Sequence, residues 1–518
     1  MQHRKANRHS NAHGLRNWGI FLGVACALAA AVCAGLFFMG NRGSIDDLML
    51  PEPGGTVKVG VTDLPQSLDV RSQSSPAAER ILLDNVYETL IRVDQKNQLQ
   101  PSLATSWKIS SDGLTYTLSI VDKVRFSNNH PLDASDVVWS LQQAVSQDHA
   151  DVDQLGELKS ITNPNASTVV ITLAKPNPTL LRALSGRLGI VYDSEAGDVD
   201  YSKQAVGSGP FTAYLDTGRR LTLTDNREYH GDHPQVNNIM FVKEADEATL
   251  IKQLKAGDLD MAMPASTSVA QEFAAASGFK VSEGTTTSKV LLAFNNGTDS
   301  LMSDEQIRKA MRHLIDASAI ASSQPDSAGP LGGPISPLES GYEDRTGDFP
   351  HNVGTARTML GFFSPEFIQT VNLVVTERYR TLGENIAQQI SQVPLPKVNL
   401  EVVSDEDYAK RIQDGAWELT LMSMDDTDDA GTFANPDSMF HYDHAEAEQA
   451  YASAREATND QEYAERMKAY AKILSEDAAS DWLYTRKCFT VASDTVSGYP
   501  TSLIETRMPL VSLKKNQQ

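Results

Sequence analysis

Residues 87–137 read YETLIRVDQKNQLQPSLATSWKISSDGLTYTLSIVDKVRFSNNHPLDASDV, and this stretch decides the fold class. Its centre predicts a β-hairpin, because Asp112-Gly113 separates two strand-like segments and Gly supplies the positive φ that tight hairpin turns require. Its end predicts a helix that begins near Asp133, a capping residue followed three positions later by Asp136. A hairpin and a helix within one short stretch indicate a mixed α/β protein.

The rest of the chain continues this alternation of short strands and amphipathic helices. Ser303 and Gln306 have the spacing of a capping box and predict a helix that extends to Ile315, and Asp460 opens a further helix. No repeat of 20–50 residues is present, which excludes solenoids and propellers. Segments rich in β-branched residues predict strands at 56–61, 115–120, 168–173, 221–224, 239–242, 290–294, 371–375, 399–403 and 418–424.

The charge of the chain is strongly acidic and unevenly distributed. The 518 residues contain 45 Lys+Arg and 67 Asp+Glu, which gives a formal net charge of −22. Binding to nucleic acid or to anionic lipid needs a basic surface, so this composition argues against a nucleic-acid partner. The length predicts two to four domains of ordinary size.

The N-terminus predicts a membrane anchor. An apolar run from Trp18 to Met39 contains no charged residue and is long enough, as a helix, to cross a bilayer. The basic tail of residues 1–17 places that end in the cytoplasm by the positive-inside rule, so the chain after a linker at 40–55 is expected outside. A signal peptide that is cleaved after export is the alternative. Cys488 is the one cysteine beyond the apolar run, which excludes a disulfide within the exported part.

Motifs for catalysis, cofactors and metals are weak. Gly207-Ser208-Gly209 lacks the rest of a phosphate-binding loop, so we expect a tight turn between two strands there. His441 and His444 are too few for a tetrahedral metal site and are interpreted as part of a surface loop. The sequence lacks Gly-x-Ser-x-Gly, and a Ser-x-x-Lys pattern occurs only at the extreme C-terminus. We therefore expect no enzyme, no cofactor and no metal centre.

The acidic segment 425–429, DDTDD, is the best candidate for a binding site. It directly follows the predicted strand 418–424, and ligands of α/β proteins collect at the carboxyl ends of strands. Its four carboxylates would favour a cationic group. The alternative is a solvated acidic loop, and a calcium loop is disfavoured because the Gly and the distal Glu of an EF-hand are missing.

Several of these segments occur in the order typical of a known family. The chain resembles the family 5 extracellular solute-binding proteins of ABC importers, the group that includes dipeptide- and oligopeptide-binding proteins. The family usually has Trp near Met424 and Asp-Pro near Asp428-Asp429, so the acidic segment departs from the pattern where ligand is recognised. The segments that carry the resemblance are YETL at 87–90, PSLA at 101–104, DGLTYT at 112–117, VRF at 124–126, GSGPF at 207–211, AGDLD at 256–260, FNN at 294–296 and IRKA at 307–310.

The resemblance implies a two-lobed periplasmic-binding-protein-like fold that closes around a ligand. The resemblance also implies a peptide ligand and a permease partner, and we expect a monomer. Carried over, the boundaries are lobe I at 56–291 with an inserted third subdomain at about 85–180, lobe II at 292–489 and a return to lobe I at 490–513.

The resemblance also suggests the residues that bind the ligand. In peptide-binding members an Asp after the strand equivalent to 418–424 pairs with the peptide α-ammonium, which matches Asp426 first and Asp428 second, with Asp425 beside them. Strand-like pairing with the peptide backbone is expected at Asn295 and Asn296. Two further candidates are Trp417, which precedes the same strand, and Arg378, a conceivable partner of a ligand carboxylate or an ordinary surface residue.

Two rival functions remain. The same fold could bind an oligosaccharide or a metal chelate, because a fold does not fix its ligand. A surface adhesin or sensor that kept the fold is the rival from another class.

Overall fold

The computed structural model describes residues 55–71, 75–216, 219–425, 429–504 and 507–516. Its helices are α1 (Pro76–Leu82), α2 (Ala134–Ser146), α3 (Leu180–Ala183), α4 (Glu247–Ala256), α5 (Thr267–Phe273), α6 (Glu305–Leu314), α7 (Ala317–Ser323), α8 (Val353–Leu360), α9 (Arg380–Ile390), α10 (Asp405–Gln413), α11 (Ala445–Arg455) and α12 (Asp460–Glu476).

The strands within these ranges confirm the predicted α/β class. They are β1 (Thr56–Val61), β2 (Ile91–Val93), β3 (Leu99–Pro101), β4 (Ala104–Ile109), β5 (Thr115–Ile120), β6 (Leu158–Asn165), β7 (Thr168–Leu173), β8 (Phe211–Asp216), β9 (Arg220–Asp225), β10 (Asn238–Lys243), β11 (Met261–Ala265), β12 (Phe279–Phe294), β13 (Ser327–Pro330), β14 (Thr370–Thr376), β15 (Lys397–Val403), β16 (Leu419–Met424), β17 (Ser480–Ser493), β18 (Val496–Ser497) and β19 (Lys514–Lys515).

Two long antiparallel strands connect the two lobes. β12 and β17 pair from Phe279↔Ser493 to Ala293↔Ser480, so each runs through both lobes. In lobe I they join β11, β1, β10, β9 and β8, and in lobe II they join β16, β14 and β15. The predicted lobe boundaries at 291 and 489 fall inside these shared strands.

Each lobe has its own apolar core. In lobe II the side chains of β12 alternate between two cores, as the pleat of a strand requires: Val290 and Leu292 pack with α6 to α9, whereas Leu291 packs with α11 and α12. In lobe I a separate core gathers around Val57, Phe211 and Phe241. Lobe II is therefore a sheet covered on both faces.

The segment between Leu90 and Val191 forms a smaller unit with its own core. Its sheet has the order β4-β5-β7-β6 and packs against α2. The predicted hairpin is confirmed, because β4 pairs with β5 and Gly113 has φ +69°. The predicted start of α2 is also confirmed, because Asp133 and Asp136 form a reciprocal capping box.

Two local predictions are wrong, whereas α12 begins at Asp460 as predicted, with Asn459 as its N-cap. Asp304 rather than Ser303 caps α6, because its side chain accepts the N–H groups of Gln306 and Ile307 at 2.8 and 3.2 Å. The Gly207–Gly209 segment is not a turn between two strands.

Gly207 and Gly209 serve close backbone packing instead. A Cβ on Gly207 would lie 2.0 Å from the carbonyl oxygen of Val86, and one on Gly209 would lie 2.7 Å from that of Asn85. The N–H of Gly209 donates to Val86 at 3.0 Å. Glycine is needed here because two backbone segments touch.

The predicted anchor at 18–39, the tail at 1–17 and most of the linker at 40–55 lie outside the described residues. Within the ranges that are described, no helix has the length and apolar character needed to span a bilayer.

Candidate functional site

The carboxyl ends of strands in the two lobes mark the candidate site. β14, β15 and β16 of lobe II run parallel, so the segments after them emerge at one edge of the sheet. Asp425 follows β16 and Arg378 follows β14 at that edge. Asp63 follows β1, the central strand of lobe I. This is the arrangement in which α/β proteins bind ligands.

Asp425 is held by β12, the strand that crosses between the lobes. The hydroxyl of Ser288 donates to its carboxylate, and the hydroxyl of Thr287 donates to its backbone carbonyl at 3.1 Å. A register shift between Thr285 and Lys289 frees this part of β12 from regular pairing with β17. The crossing strand therefore positions the start of the acidic segment.

Asp429, at the other end of the acidic segment, takes part in a buried ionic cluster. The ammonium of Lys289 is fully buried and lies 2.6 Å from the Asp429 carboxylate and 2.9 Å from that of Glu339. Burial opposes the charge on Lys289, but the two carboxylates outweigh it and raise the pKa of its ammonium. Lys289 therefore joins Glu339 and Asp429 in one buried ionic cluster.

A cavity of about 360 Å³ lies between the small unit and lobe II. Trp107 and Arg182 line it on one side, and Ile335, Glu339 and Met467 on the other. Its volume falls in the range of about 300–1,000 Å³ that small-molecule sites occupy. Glu339 belongs to both the cavity wall and the buried cluster, so the cluster reaches the cavity, whose wall also contains Arg182.

Hydrogen bonds join the two sides of the cavity. The amide of Asn97 in the small unit donates to the carbonyl of Leu338 in lobe II at 2.9 Å, and Arg182 supports Asn97 from within the small unit by donating to its carbonyl at 2.9 Å. On the far side Arg455 of α11 donates to the side chain of Asn177 at 3.3 Å. The structure therefore has the small unit docked on lobe II.

Asn295, Asn296 and Trp417 lie at the opposite end of the β12–β16 ladder from Asp425. Lys289 pairs with Met424 at the acidic end, whereas Phe294 pairs with Leu419 at the other. The amide of Asn295 donates to the carbonyl of Trp417 at 2.8 Å. The amide of Asn296 donates to the backbone carbonyl of Phe440 at 3.0 Å. The geometry does not bring these three residues to the acidic segment, and the two amides serve the backbone.

Arg378 is exposed and lines a different cavity. Its guanidinium lies 5.4 Å from the centre of the Tyr379 ring. This second cavity, of about 620 Å³, lies between α5 of lobe I and α9 of lobe II and also contains Asp326 and Arg486. Arg378 therefore shares an edge of the sheet with Asp425 but not the cavity beside Glu339. Asp426 and Asp428 lie outside the described residues.

The sequence reasoning missed Lys289 and Glu339. Lys289 directly precedes the apolar run 290–294, and a charged residue adjoining a buried strand is a signal that could have found it. Glu339 lies in a segment of irregular structure and had no such signal. Asp429 was in the acidic segment, but its buried partner was not foreseen.

Two lobes joined by crossing strands, with a polar-edged cavity, define a class of solute-binding protein. Residues 98–444 match the family model described as bacterial extracellular solute-binding proteins, family 5 Middle. The chain belongs to this family. Membership confirms the expectation that it is a binding protein and not an enzyme.

Individual relatives are similar over most of their length. The di/tripeptide-binding protein 4 of Pseudomonas aeruginosa is 24% identical over 488 residues, covering 84% of this chain and 90% of the relative. The substrate-binding protein CtaP of Listeria monocytogenes has a TM-score of 0.81 at 17% identity, covering 90% of this chain and all of CtaP. A dipeptide-binding protein of Pseudoalteromonas in complex with Met-Leu has a TM-score of 0.73 at 16% identity, covering 89% and 100%. These solved structures confirm the two-lobed fold.

Proposed function

We propose that this protein captures short peptides between its lobes and delivers them to the permease of an ABC importer. The observation that carries the proposal is the cavity beside Glu339, whose volume suits a small ligand and whose wall carries charged side chains. Charged groups at such a cavity can form charge-assisted hydrogen bonds with the termini of a peptide. Family membership and the peptide-binding relatives support the same ligand class.

The proposed ammonium anchor lies within the acidic segment. Asp425 and Asp429, at its ends, already bind Ser288 and Lys289. Asp426 and Asp428 between them stay the first choices for the ligand, in that order. We leave Asn295, Asn296, Trp417 and Arg378 out of the proposed site, since the amides of Asn295 and Asn296 already donate to backbone carbonyls, Trp417 supplies one of them and Arg378 lines another cavity.

The anchor is tested by combining protein and peptide changes. We expect Asp426→Asn or Asp428→Asn to weaken binding of a trialanine probe by about 10- to 150-fold, since charge-assisted hydrogen bonds contribute about 1.5–3 kcal/mol. N-acetyl-trialanine should bind the wild type with a similar loss and the sensitive variant with little further loss, because both changes remove one pair.

Isothermal titration calorimetry on the full chain in mild detergent measures these affinities. Asp437→Asn, an exposed carboxylate later in the chain, is the matched control and should bind like the wild type. Equal affinity for trialanine and its N-acetyl form in all proteins would contradict the anchor.

The proposal also places the protein in the cell. We infer that the helix at 18–39 anchors it in the cytoplasmic membrane with residues from about 43 outside, as a monomer. Protease added to intact cells should then release a soluble fragment. A fully protected chain would contradict this orientation.

A second candidate is a non-peptide solute. Haem-binding protein A of Haemophilus influenzae is 23% identical over 80% of this chain, and a NikA structure of the same fold holds Ni(L-His)₂. If the protein binds such a solute, N-acetylation of a peptide should not change its affinity. The calorimetry above measures this difference.

A further inference from the structure

The cavity between the small unit and lobe II has apolar side chains on both sides. Leu99 and Trp107 line it from the small unit, and Ile335 and Met467 line it from lobe II. Trp107 packs beside the core of the small unit but is only half-buried. A large aromatic side chain at a cavity of about 360 Å³ offers apolar surface for a ligand to cover.

The charged side chains of the same wall already have roles within the protein. Glu339 pairs with the buried Lys289 at 2.9 Å, and Arg182 donates to the carbonyl of Asn97 at 2.9 Å. Asp460 is exposed in the first turn of α12, where a carboxylate complements the helix dipole. The apolar part of the wall therefore decides which peptide side chain fits.

The cavity adjoins the segment where the ammonium anchor is proposed. Ala430 lines the cavity and directly follows Asp429, the last residue of the acidic segment. Glu339, also in the wall, contacts the same lysine as Asp429. A peptide whose ammonium is held at this segment carries its side chains beside the cavity.

We propose that the cavity receives a large apolar side chain of the peptide and selects for it, an inference that rests on the proposed peptide-binding function. Trp107 would pack against an aromatic ring of the ligand, and such pairs contribute more than the area they bury. The side chain would contact the small unit and lobe II together, because both line the cavity. The preferred ligands are short peptides with an aromatic or large aliphatic residue.

The test compares tripeptides that differ from trialanine in one side chain. Tripeptides with a single phenylalanine at the first, second or third position are titrated into the full chain in mild detergent by isothermal titration calorimetry. The wild type should bind at least one of them about 10-fold or more tightly than trialanine, as expected for burial of an aromatic side chain. The heat-capacity change of binding should also be more negative for that peptide, because apolar surface is buried. The matching lysine and glutamate tripeptides should bind no more tightly than trialanine.

Three positions show whether the cavity causes the preference. Trp107→Ala should reduce the ratio of the two affinities to within about 3-fold, whereas Trp107→Phe should retain part of the preference. Leu99→Ala changes the same wall and should lower the ratio by less, because less apolar surface is lost. Trp139→Ala is the matched control, since Trp139 is a half-buried tryptophan of the same unit that packs against the core of lobe I and does not line the cavity. Circular dichroism checks that each variant is folded.

The possible results separate the two levels of the proposal. Phenylalanine tripeptides that bind no more tightly than trialanine, or a ratio unchanged in the folded Trp107 and Leu99 variants, would overturn the role of the cavity and leave peptide binding intact. Loss of the preference in Trp139→Ala to the same extent would also overturn it, because that change leaves the wall untouched. A preference for the lysine or glutamate tripeptides would replace apolar selection with selection by charge. Binding of none of the tripeptides, trialanine included, would overturn the proposed function itself.

Discussion

Lys289 links the interior of lobe II to the cavity through a single side chain. Its ammonium is fully buried between Glu339 and Asp429, and Glu339 also accepts the N–H of Ser336 at 2.8 Å. The ion pair therefore fixes the segment 335–340 that lines the cavity. A residue of this kind stabilises the fold and shapes the site at the same time.

Removing the Lys289 charge should be strongly destabilising. Lys289→Met removes the buried cation that pairs with both Glu339 and Asp429, and breaking a buried pair in this way typically costs about 3–5 kcal/mol. Urea unfolding followed by circular dichroism measures the free energy of unfolding. The double variant Lys289→Met/Glu339→Gln should recover part of the loss because one carboxylate charge is gone. A loss below about 1 kcal/mol in the single variant would contradict the buried cluster.

His230 and Glu88 make stability depend on pH. Nε2 of His230 lies 3.0 Å from both Glu88 oxygens, and the hydrogen bond to Glu88 outweighs partial burial and raises the pKa of the imidazole. A pKa that is raised on folding stabilises the fold fully below the unfolded value of about 6.5, and this contribution is lost as pH rises through the folded pKa. The melting-temperature difference between wild type and His230→Gln should be larger at about pH 5.5 than at about pH 8.5. The melting-temperature difference between wild type and Glu88→Gln should also be larger at the lower pH. A difference that grows as pH rises would contradict the assignment of this pH dependence to the His230–Glu88 pair.

At the scale of elements, the two crossing strands organise the site. β12 carries Ser288, which holds Asp425, and the neighbouring Lys289, which holds Asp429, so the hinge strand and the acidic segment are physically joined. The small unit contacts lobe II beside the cavity through hydrogen bonds such as that from Asn97 to Leu338. Such contacts can open and re-form as the lobes move.

Asn97 is the residue whose loss should favour opening. Asn97→Ala removes the hydrogen bond to Leu338 and one acceptor of Arg182, each contributing about 0.5–1.5 kcal/mol net. The variant should have a larger radius of gyration than the wild type in solution scattering without peptide and a weaker peptide affinity. Asn165→Ala, an exposed residue within the same small unit, is the control. Equal dimensions for Asn97→Ala and wild type would contradict this role of the docking contacts.

Much of the secondary structure was predictable, whereas the site was predictable only in its region. Strands such as β1, β5 and β7 matched the predicted limits because their alternation of apolar and polar residues is a local property. β12 proved much longer than 290–294, since its first half lies among polar residues and is held by pairing with β17. Asn295 and Asn296 looked polar enough for a ligand, but distant backbone carbonyls occupy their amides. Contacts between residues far apart in sequence decide such cases.

The molecule as a whole is a two-lobed binding protein of family 5 with a cavity between the small unit and lobe II, beside the buried Lys289–Glu339–Asp429 cluster. Closure of the lobes around a ligand should raise thermal stability, as any ligand selective for the native state does. A ligand held between the lobes selects the closed form, so ligand binding and closure are thermodynamically linked.

The most direct test of peptide capture is native mass spectrometry of the full chain purified from cells in peptide-rich medium. Our account predicts protein carrying masses that fragment as short peptides with free termini and that are lost together with affinity in Asp426→Asn or Asp428→Asn. Protein that instead carries a haem, a metal chelate or a sugar, and that does not exchange it for added peptide, would contradict the account.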